Sequence, residues 1–196
     1  MINKKVLICG DSFASDWSVK TQTSNVGWPN LLQNVYDVTN LAQAGCSEYK
    51  IYQQLVSTTL SSYDHIIIFH TSPFRIYVKQ HPYLSNDILH HDCDLIYNDI
   101  KNHVFPDQAA IVTFFEKYFD LDYAKFVHNL ICEKIDVITN SMSCLHLSVN
   151  DDPDHYVFKN YIDVSTTFKQ HRGDVNHLDN LGNKIISDKV ATWLNR

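Results

Sequence analysis

The sequence has no long apolar run. Its first apolar stretch covers only residues 6–9 before a glycine and an aspartate interrupt it, which is too short for the core of a secretory signal peptide. No other stretch approaches the roughly 18 consecutive apolar residues that a membrane span needs. These absences exclude a membrane-spanning segment and lead us to expect a soluble, cytoplasmic protein.

The sequence also has no CxxC pair and no cluster of basic residues. Its five cysteines are scattered and odd in number, a pattern typical of free thiols in a reducing compartment. Lysine and arginine total 16 against 22 acidic residues, which gives a net charge of −6. A surface built to bind phosphates is therefore not expected, and nucleic acid is not an expected partner.

What is present suits one globular domain. A length of 196 residues is enough to bury a substantial core without disulfides. The chain is 44% hydrophobic and 19% charged, which is typical of a folded soluble protein. We expect a single domain over residues 1–196, and the oligomeric state stays open.

Short apolar runs alternate with helical patterns along most of the chain. Runs that are apolar throughout are typical of strands buried on both faces, as in a parallel sheet covered by helices. Their alternation with helices indicates βαβ units. The predicted fold class is α/β, a three-layer α/β/α domain with a doubly wound, mostly parallel sheet of flavodoxin-like type. The predicted strands are residues 6–9, 35–41, 65–69 and 143–149, and the predicted helices lie near residues 28–35, 51–60, 121–136 and 179–194.

Residues 75–120 follow no sustained period and contain prolines and many aromatic residues. We interpret this segment as an insert of loops and short helices that caps the active site. Residues 90–93 (HHDC) include metal-ligand types, but adjacent residues on one element point in different directions. We therefore interpret them as a solvated loop and expect no metal.

Two short motifs carry residues that can perform nucleophilic catalysis. Residues 10–13 (GDSF) follow the first predicted strand and place Ser12 at the carboxyl edge of the sheet, where parallel sheets bind ligands. Residues 174–177 (DVNH) place Asp174 three residues before His177. A serine hydroxyl becomes nucleophilic when an imidazole removes its proton, and that imidazole needs an acceptor to fix its tautomer. Each motif alone is more common as a turn or a helix cap.

Together these motifs resemble those of the SGNH (GDSL-type) hydrolases. The resemblance rests on residues 10–13, on residues 40–45 after the second predicted strand, and on the DxxH motif at residues 174–177. Residues 177–182 (HLDNLG) also resemble the last block of that family, where a small residue lets the final helix pack. The resemblance spans nearly the whole chain, and it implies the SGNH fold and ester hydrolysis.

The resemblance also implies a role for each matching residue. Ser12 would be the nucleophile, and its backbone amide would be one oxyanion donor. Gly45 would supply a second amide, and the lack of a side chain there would let the acyl oxygen approach. His177 would be the general base and then the general acid, oriented by Asp174. No metal or organic cofactor is required, and for Gly45 alone a turn glycine with positive φ is the simpler interpretation.

The third block departs from the family pattern. The family has Gly-x-Asn-Asp after the third strand, whereas this chain has HTSPFR at residues 70–75. A gapless alignment puts His70 at the glycine and Ser72 at the asparagine that donates to the oxyanion. We predict Ser72 as the third donor, with Thr71 or His70 as alternatives. Loss of one such donor costs about 100- to 1000-fold in rate, so without a substitute catalysis would be impaired.

Substrate contacts are expected from Asp16, Thr71 and Arg75. Arg75 could bind a carboxylate or hydroxyl groups, and a surface ion pair is its alternative role. The predicted function is hydrolysis of small acyl esters through an acyl-enzyme on Ser12, with O-acetyl groups on carbohydrates as the favoured substrate. Acyl transfer to a sugar hydroxyl would use the same residues. A non-catalytic carbohydrate-binding or assembly protein with this fold is the alternative that the altered third block supports.

Overall fold

The computed structural model describes residues 4–15, 27–84, 90–149, 155–173 and 177–196. Two of the predicted site residues, Asp16 and Asp174, lie outside these ranges. None of the helices in the described ranges combines the length and the apolar character that crossing a membrane requires.

The centre of the molecule is a parallel sheet of five strands in the order β2-β1-β3-β6-β7. Every neighbouring pair in this sheet is parallel. A separate antiparallel pair joins β4 to β5. The strands are β1 (Lys5–Gly10), β2 (Asp37–Asn40), β3 (His65–His70), β4 (Arg75–Ile76), β5 (Leu95–Ile96), β6 (Cys144–Ser148) and β7 (Tyr161–Asp163).

Helices cover both faces of the sheet. They are α1 (Trp28–Gln33), α2 (Glu48–Val56), α3 (Tyr97–Asn102), α4 (Gln108–Lys117), α5 (Leu121–Thr139), α6 (Ser165–Gln170) and α7 (Asn180–Leu194), with a 3-10 turn at Leu60–Ser62. The first face packs against α1, α6 and α7. The opposite face packs against α2 and α5. The predicted three-layer α/β/α class is therefore confirmed.

The first strand shows why an unbroken apolar run predicted this architecture. Val6 and Ile8 point into the core on the side of α1 and α7. Leu7 and Cys9 point into the core on the side of α2 and α5. Because successive side chains alternate between faces, a strand covered on both faces needs apolar residues at every position.

Several predicted boundaries differ from the structure by a few residues. The strand predicted at residues 35–41 is shorter, Asp37–Asn40, because α1 is followed by a turn through Tyr36. The helix predicted near residues 51–60 begins earlier, at Glu48, and ends at Val56. Strand β7 and helix α6 were not predicted, and each is too short to leave a periodic pattern.

Candidate active site

Ser12 lies in the turn that follows β1. Because β1 is the neighbour of both β2 and β3, the segments after these three strands meet at one edge of the sheet. Ser12 is 9% exposed there, whereas Asp11 is fully buried beneath it. The sequence motifs at residues 10–13, 40–45 and 70–75 therefore lie side by side.

Asp11 ties these segments together. One carboxylate oxygen accepts the backbone N–H of Phe13 at 2.9 Å. The other accepts the Thr71 hydroxyl at 3.0 Å and binds the Arg75 guanidinium at 2.8 Å. Arg75 also donates to the carbonyl oxygen of Cys46 at 2.8 Å. Burial raises the pKa of Asp11, and Arg75, the Phe13 amide and the Thr71 hydroxyl offset part of that rise.

These contacts change the interpretation of Arg75. The surface ion pair considered from the sequence is instead a buried one, since the Arg75 side chain is 11% exposed and Asp11 is 0% exposed. Both Arg75 and Thr71 direct polar atoms at Asp11, next to Ser12. The expected contacts of Arg75 and Thr71 with substrate stay a prediction.

His177 lies against the turn that carries Ser12. Its ring centroid is 5.3 Å from that of Phe13, and its charge acts to lower the pKa of Asp11. The His177 carbonyl oxygen accepts the amide of Gly173 at 2.7 Å, and an antiparallel bridge joins Arg172 to the next residue, Leu178. The folded chain thus brings the C-terminal histidine to the N-terminal serine motif. The orienting role predicted for Asp174 falls outside the described ranges.

The block after His177 packs as the sequence indicated. The side chain of Asp179 accepts the amide of Gly182 at 2.7 Å and caps the N-terminus of α7. A side-chain carbon at Gly182 would lie 2.7 Å from Cβ of His171 and 2.8 Å from Cδ2 of Leu178. Glycine is needed there because α7 contacts the preceding loop closely.

Gly45 has φ +76°, so the turn-glycine interpretation of this position is confirmed. A side-chain carbon on Gly45 would lie 2.6 Å from Cβ of Cys93. Cys93 therefore occupies the space that a side chain at Gly45 would take, and the expectation that the missing side chain lets an acyl oxygen approach stays a prediction. The Gly45 carbonyl oxygen accepts the amide of Asp94 at 3.1 Å, and the role of its own amide as an oxyanion donor stays a prediction.

The part of the predicted insert that contacts these turns is a two-stranded segment that we call the clamp, residues 75–84 and 90–96. Its Asp94 is fully buried. One oxygen of Asp94 accepts the amide of Ser47 at 2.7 Å, and the other accepts the amide of Val78 at 2.9 Å and binds the Lys50 ammonium at 3.1 Å. Lys50 also donates to the Asp92 carbonyl oxygen at 2.6 Å. The clamp fixes the turn at residues 45–47 from the side.

The three candidates for the third oxyanion donor have different surroundings. The Ser72 hydroxyl oxygen accepts the amide of Phe74 at 3.3 Å. The Thr71 hydroxyl donates to Asp11. The His70 ring binds the carboxylate of Glu48 at 2.7 Å and is fully buried. Ser72 lines a cavity, and neither Thr71 nor His70 is among the residues that line that cavity.

That cavity has a volume of about 420 Å³ and lies beside the serine turn. Its polar wall includes Ser47, Glu48, Ser72, Arg75 and His128. Its other walls are mostly apolar or aromatic: Tyr49, Pro73, Ile76, Tyr77, Phe114, Tyr118, Phe119, Tyr123, Ala124, Val127 and Ile131. Neither Ser12 nor His177 lines it, and Arg75 connects the two places because it lines the cavity and binds Asp11.

Sequence reasoning missed a buried polar cluster behind the end of β3. Glu48 accepts from His70 at 2.7 Å and from the Thr71 amide at 3.1 Å, and His128 lies 3.4 Å from its second oxygen. Burial alone would raise the pKa of Glu48, but His70 and His128 lower it below its ordinary value. Cys132 completes the group, 3.9 Å from His70 and 3.7 Å from His128. The only sequence signal was Glu48, an acidic residue at the start of an amphipathic helix. An acidic residue in that position is commonly exposed to solvent and interacts with the helix dipole, so it does not indicate a buried cluster.

Comparison with known proteins supports the fold. No protein-family model matches the chain, and no curated protein matches it. Among solved structures, a protein from Desulfitobacterium hafniense DCB-2 assigned to the G-D-S-L family of lipolytic proteins is similar, with a TM-score of 0.54 and 11% identity. The match covers 97% of this chain and 99% of that one. At this identity the likeness concerns the fold, and the chain has the mostly parallel α/β fold of this GDSL-type protein.

Proposed function

We propose that the protein is a serine-dependent hydrolase of small acyl esters, with Ser12 as the nucleophile. The observation that carries the proposal is the contact between His177 and Phe13, next to Ser12. His177 and Ser12 come from opposite ends of the chain. A fold that only binds a ligand does not need an imidazole packed against the residue that follows this serine.

The reaction follows from these groups. His177 removes the hydroxyl proton of Ser12 as the serine oxygen attacks the ester carbonyl. The tetrahedral intermediate then expels the alcohol, which takes its proton from His177 and leaves an acyl-enzyme. Water, deprotonated by His177, attacks the acyl carbon and releases the carboxylic acid and Ser12. Asp174 orients His177 in this proposal.

The amides of Ser12 and Gly45 would hold the negative oxygen, and Ser72 would add its hydroxyl. Ser72 keeps its own hydroxyl proton for such a bond, because its oxygen accepts from Phe74. Arg75 and Thr71 are positioning residues in this proposal, since they fix Asp11 directly before the nucleophile. A preorganised donor is effective because it needs no rearrangement in the transition state.

The cavity beside the serine turn supports a substrate larger than a simple acetate ester. A volume of about 420 Å³ is within the range of small-molecule sites. Tyr49 and Tyr77 meet edge to face at 4.7 Å on its wall, and aromatic walls of this kind suit the apolar face of a sugar ring. We therefore propose O-acetylated carbohydrate as the substrate, with its sugar part in the cavity.

The test is hydrolysis of p-nitrophenyl acetate by the wild-type protein beside Ser12→Ala and Ser57→Ala. Ser57 is an exposed serine at the end of α2 and serves as the matched control. We expect Ser12→Ala to fall to the uncatalysed rate and Ser57→Ala to keep the wild-type rate. A fluorophosphonate probe should label the wild type and Ser57→Ala but not Ser12→Ala. Equal rates and equal labelling in all three proteins would contradict the proposal.

A non-catalytic carbohydrate-binding protein is the second candidate. The sequence after β3 favours this candidate, because His70 aligns with the family glycine and its ring is hydrogen-bonded to Glu48. If the protein only binds carbohydrate, Ser12→Ala should still bind sugar. The fluorophosphonate probe should then leave the wild type unlabelled. If hydrolysis is observed, adding a sugar acceptor measures acyl transfer as a fraction of the acyl groups released.

A further inference from the structure

The cluster behind β3 brings together three metal-ligand side chains from three elements. Glu48 begins α2, His70 ends β3 and Cys132 lies in α5. Each is at most 2% exposed. One ligand atom from each lies within 4.8 Å of the ligand atoms of the other two.

We infer that Glu48, His70 and Cys132 form a binding site for a divalent metal ion of the zinc type. A mixed set of carboxylate, imidazole and thiolate ligands suits Zn²⁺. Tetrahedral zinc with bonds of about 2.0–2.3 Å needs its ligand atoms about 3.3–3.6 Å apart. The Cys132 sulfur is 3.9 Å from Nδ1 of His70, and Nδ1 of His70 is 2.7 Å from Glu48. These two spacings are about half an ångström from those of tetrahedral zinc, and the Glu48 ligand oxygen lies within 4.8 Å of the Cys132 sulfur.

The groups around these ligands match what a metal site requires. A metal-bound histidine generally has its second ring nitrogen held by a hydrogen bond, which fixes the ring. Nε2 of His70 lies 2.9 Å from Nδ1 of His146. The second carboxylate oxygen of Glu48 accepts the Thr71 amide at 3.1 Å. Both ligands are thus oriented by partners that a bound ion would leave in place.

His128 can complete the coordination. Its Nε2 donates to the Thr71 carbonyl oxygen at 3.0 Å, so in the neutral ring Nδ1 is the nitrogen that can bind the ion, and that atom lies 3.7 Å from the Cys132 sulfur. His128 and Glu48 also line the cavity of about 420 Å³, which provides a route for the ion. On binding, the thiol of Cys132 must lose its proton to solvent, so uptake should release at least one proton per ion.

A bound ion would have a structural effect next to the candidate active site. Thr71 donates its amide to Glu48 and its hydroxyl to Asp11. An ion at Glu48 would therefore hold one side of Thr71 while Asp11 holds the other. The metal site does not depend on the proposed hydrolysis, and Ser12→Ala should retain it.

The experiment is zinc and cobalt titration of the full chain after chelator treatment, with Cys132→Ser and Cys144→Ser compared with the wild type. Cys144 is an equally buried cysteine on β6 and serves as the control. We expect one zinc per wild-type chain, and affinity at least about 100-fold weaker in Cys132→Ser, more than the loss of an outer-shell partner costs. Cobalt should give a thiolate-to-metal charge-transfer band in the wild type and Cys144→Ser but not in Cys132→Ser.

Two results would overturn the inference. One is a wild-type protein that takes up no stoichiometric zinc or cobalt, which would leave the cluster as a hydrogen-bonded charge network. The other is a Cys132→Ser variant that binds cobalt with the wild-type affinity and spectrum. Because the wild-type titration needs no variant, poor folding of Cys132→Ser would not obscure the outcome.

Discussion

Two turns, residues 11–13 and 45–47, carry the sequence motifs, and the clamp holds both of them. The turns and the clamp contribute different kinds of chemical group. The turns present a serine hydroxyl and backbone amides. The clamp contributes charged side chains, because Arg75 binds Asp11 and Asp94 binds the amide of Ser47. Asp11 accepts the amide of Phe13 within its own turn, but its carboxylate and the amide of Ser47 are held by charged side chains of the clamp. In this protein the candidate reactive groups and most of the charged groups that hold them lie in separate parts of the chain.

We expect the largest effect, a loss of activity, from replacing a residue of the sequence motifs. If His177 is the base for Ser12, His177→Ala should lower kcat/KM for p-nitrophenyl acetate by about 10⁴-fold or more, as loss of a serine-protease histidine does. The double variant with Ser12→Ala should lose no more than either single variant, because the two residues act as a unit. His171→Ala, in the same loop, is the control and should keep most of the activity. A fall in His171→Ala equal to that in His177→Ala would indicate a loop effect instead of a base.

Replacing a charged residue of the clamp should instead lower the free energy of unfolding. Replacing Arg75 with methionine leaves the carboxylate of Asp11 buried without its cation, and breaking a buried pair in this way costs about 3–5 kcal/mol. We expect Arg75→Met to lose that much free energy of unfolding in a denaturant titration near neutral pH. Arg172→Met removes an exposed arginine and should change stability by less than about 1 kcal/mol. Equal losses in the two variants would show that Arg75 is not an anchor.

The fold could be predicted because its signals are local. The apolar run before Gly10 predicted a strand buried on both faces, and the helical spacing before Leu194 predicted α7. The serine and histidine motifs could be found because each is a few residues long. Their meeting in space followed from the resemblance to a family and not from the residues themselves.

The clamp and the buried cluster could not be predicted in this way. Arg75 and Asp11 are separated by 64 positions, and an ion pair at that distance leaves no periodic signal. Likewise, nothing next to His70 indicates that Glu48 and Cys132 lie beside it. An alignment to the family pattern put His70 at a glycine, which describes its place in the chain but not its partners. Long-range polar contacts depend on how the layers pack, and the sequence of a single segment does not determine that packing.

A smaller loss of stability is expected at Gly45, where the turn at residues 45–47 contacts the clamp. Gly45→Ala forces a side chain into a positive-φ position and against Cys93, so we expect a loss of about 1–3 kcal/mol in the free energy of unfolding. Gly27→Ala is the control, because Gly27 has φ −63° and its nearest new contact is 3.3 Å away. Chemical denaturation of both variants measures the difference. Should Gly45→Ala be as stable as Gly27→Ala, the close packing of the clamp on this turn would be contradicted.

The smallest effect concerns pH and lies within the clamp. His81 is buried, and its Nδ1 accepts the amides of Tyr83 and Leu84 at 3.1 and 3.0 Å. Burial lowers the pKa of His81, and Asp99 and Asp94 oppose that shift only in part. Because the folded pKa lies below the unfolded value of about 6.5, protonation favours the unfolded chain. The stability that neutral His81 contributes is complete above that value and is lost as the pH falls from it toward the folded pKa.

His81→Asn should remove this dependence, because the asparagine side-chain oxygen can accept the same two amides without titrating. We expect the wild type to lose more unfolding free energy than His81→Asn between about pH 7.5 and pH 5, with the two proteins close at the upper end. Every other ionisable group is the same in the two proteins, so the difference between the curves reports His81 alone. Parallel curves would contradict this prediction, because they would mean that His81 binds a proton equally well in the folded and the unfolded chain.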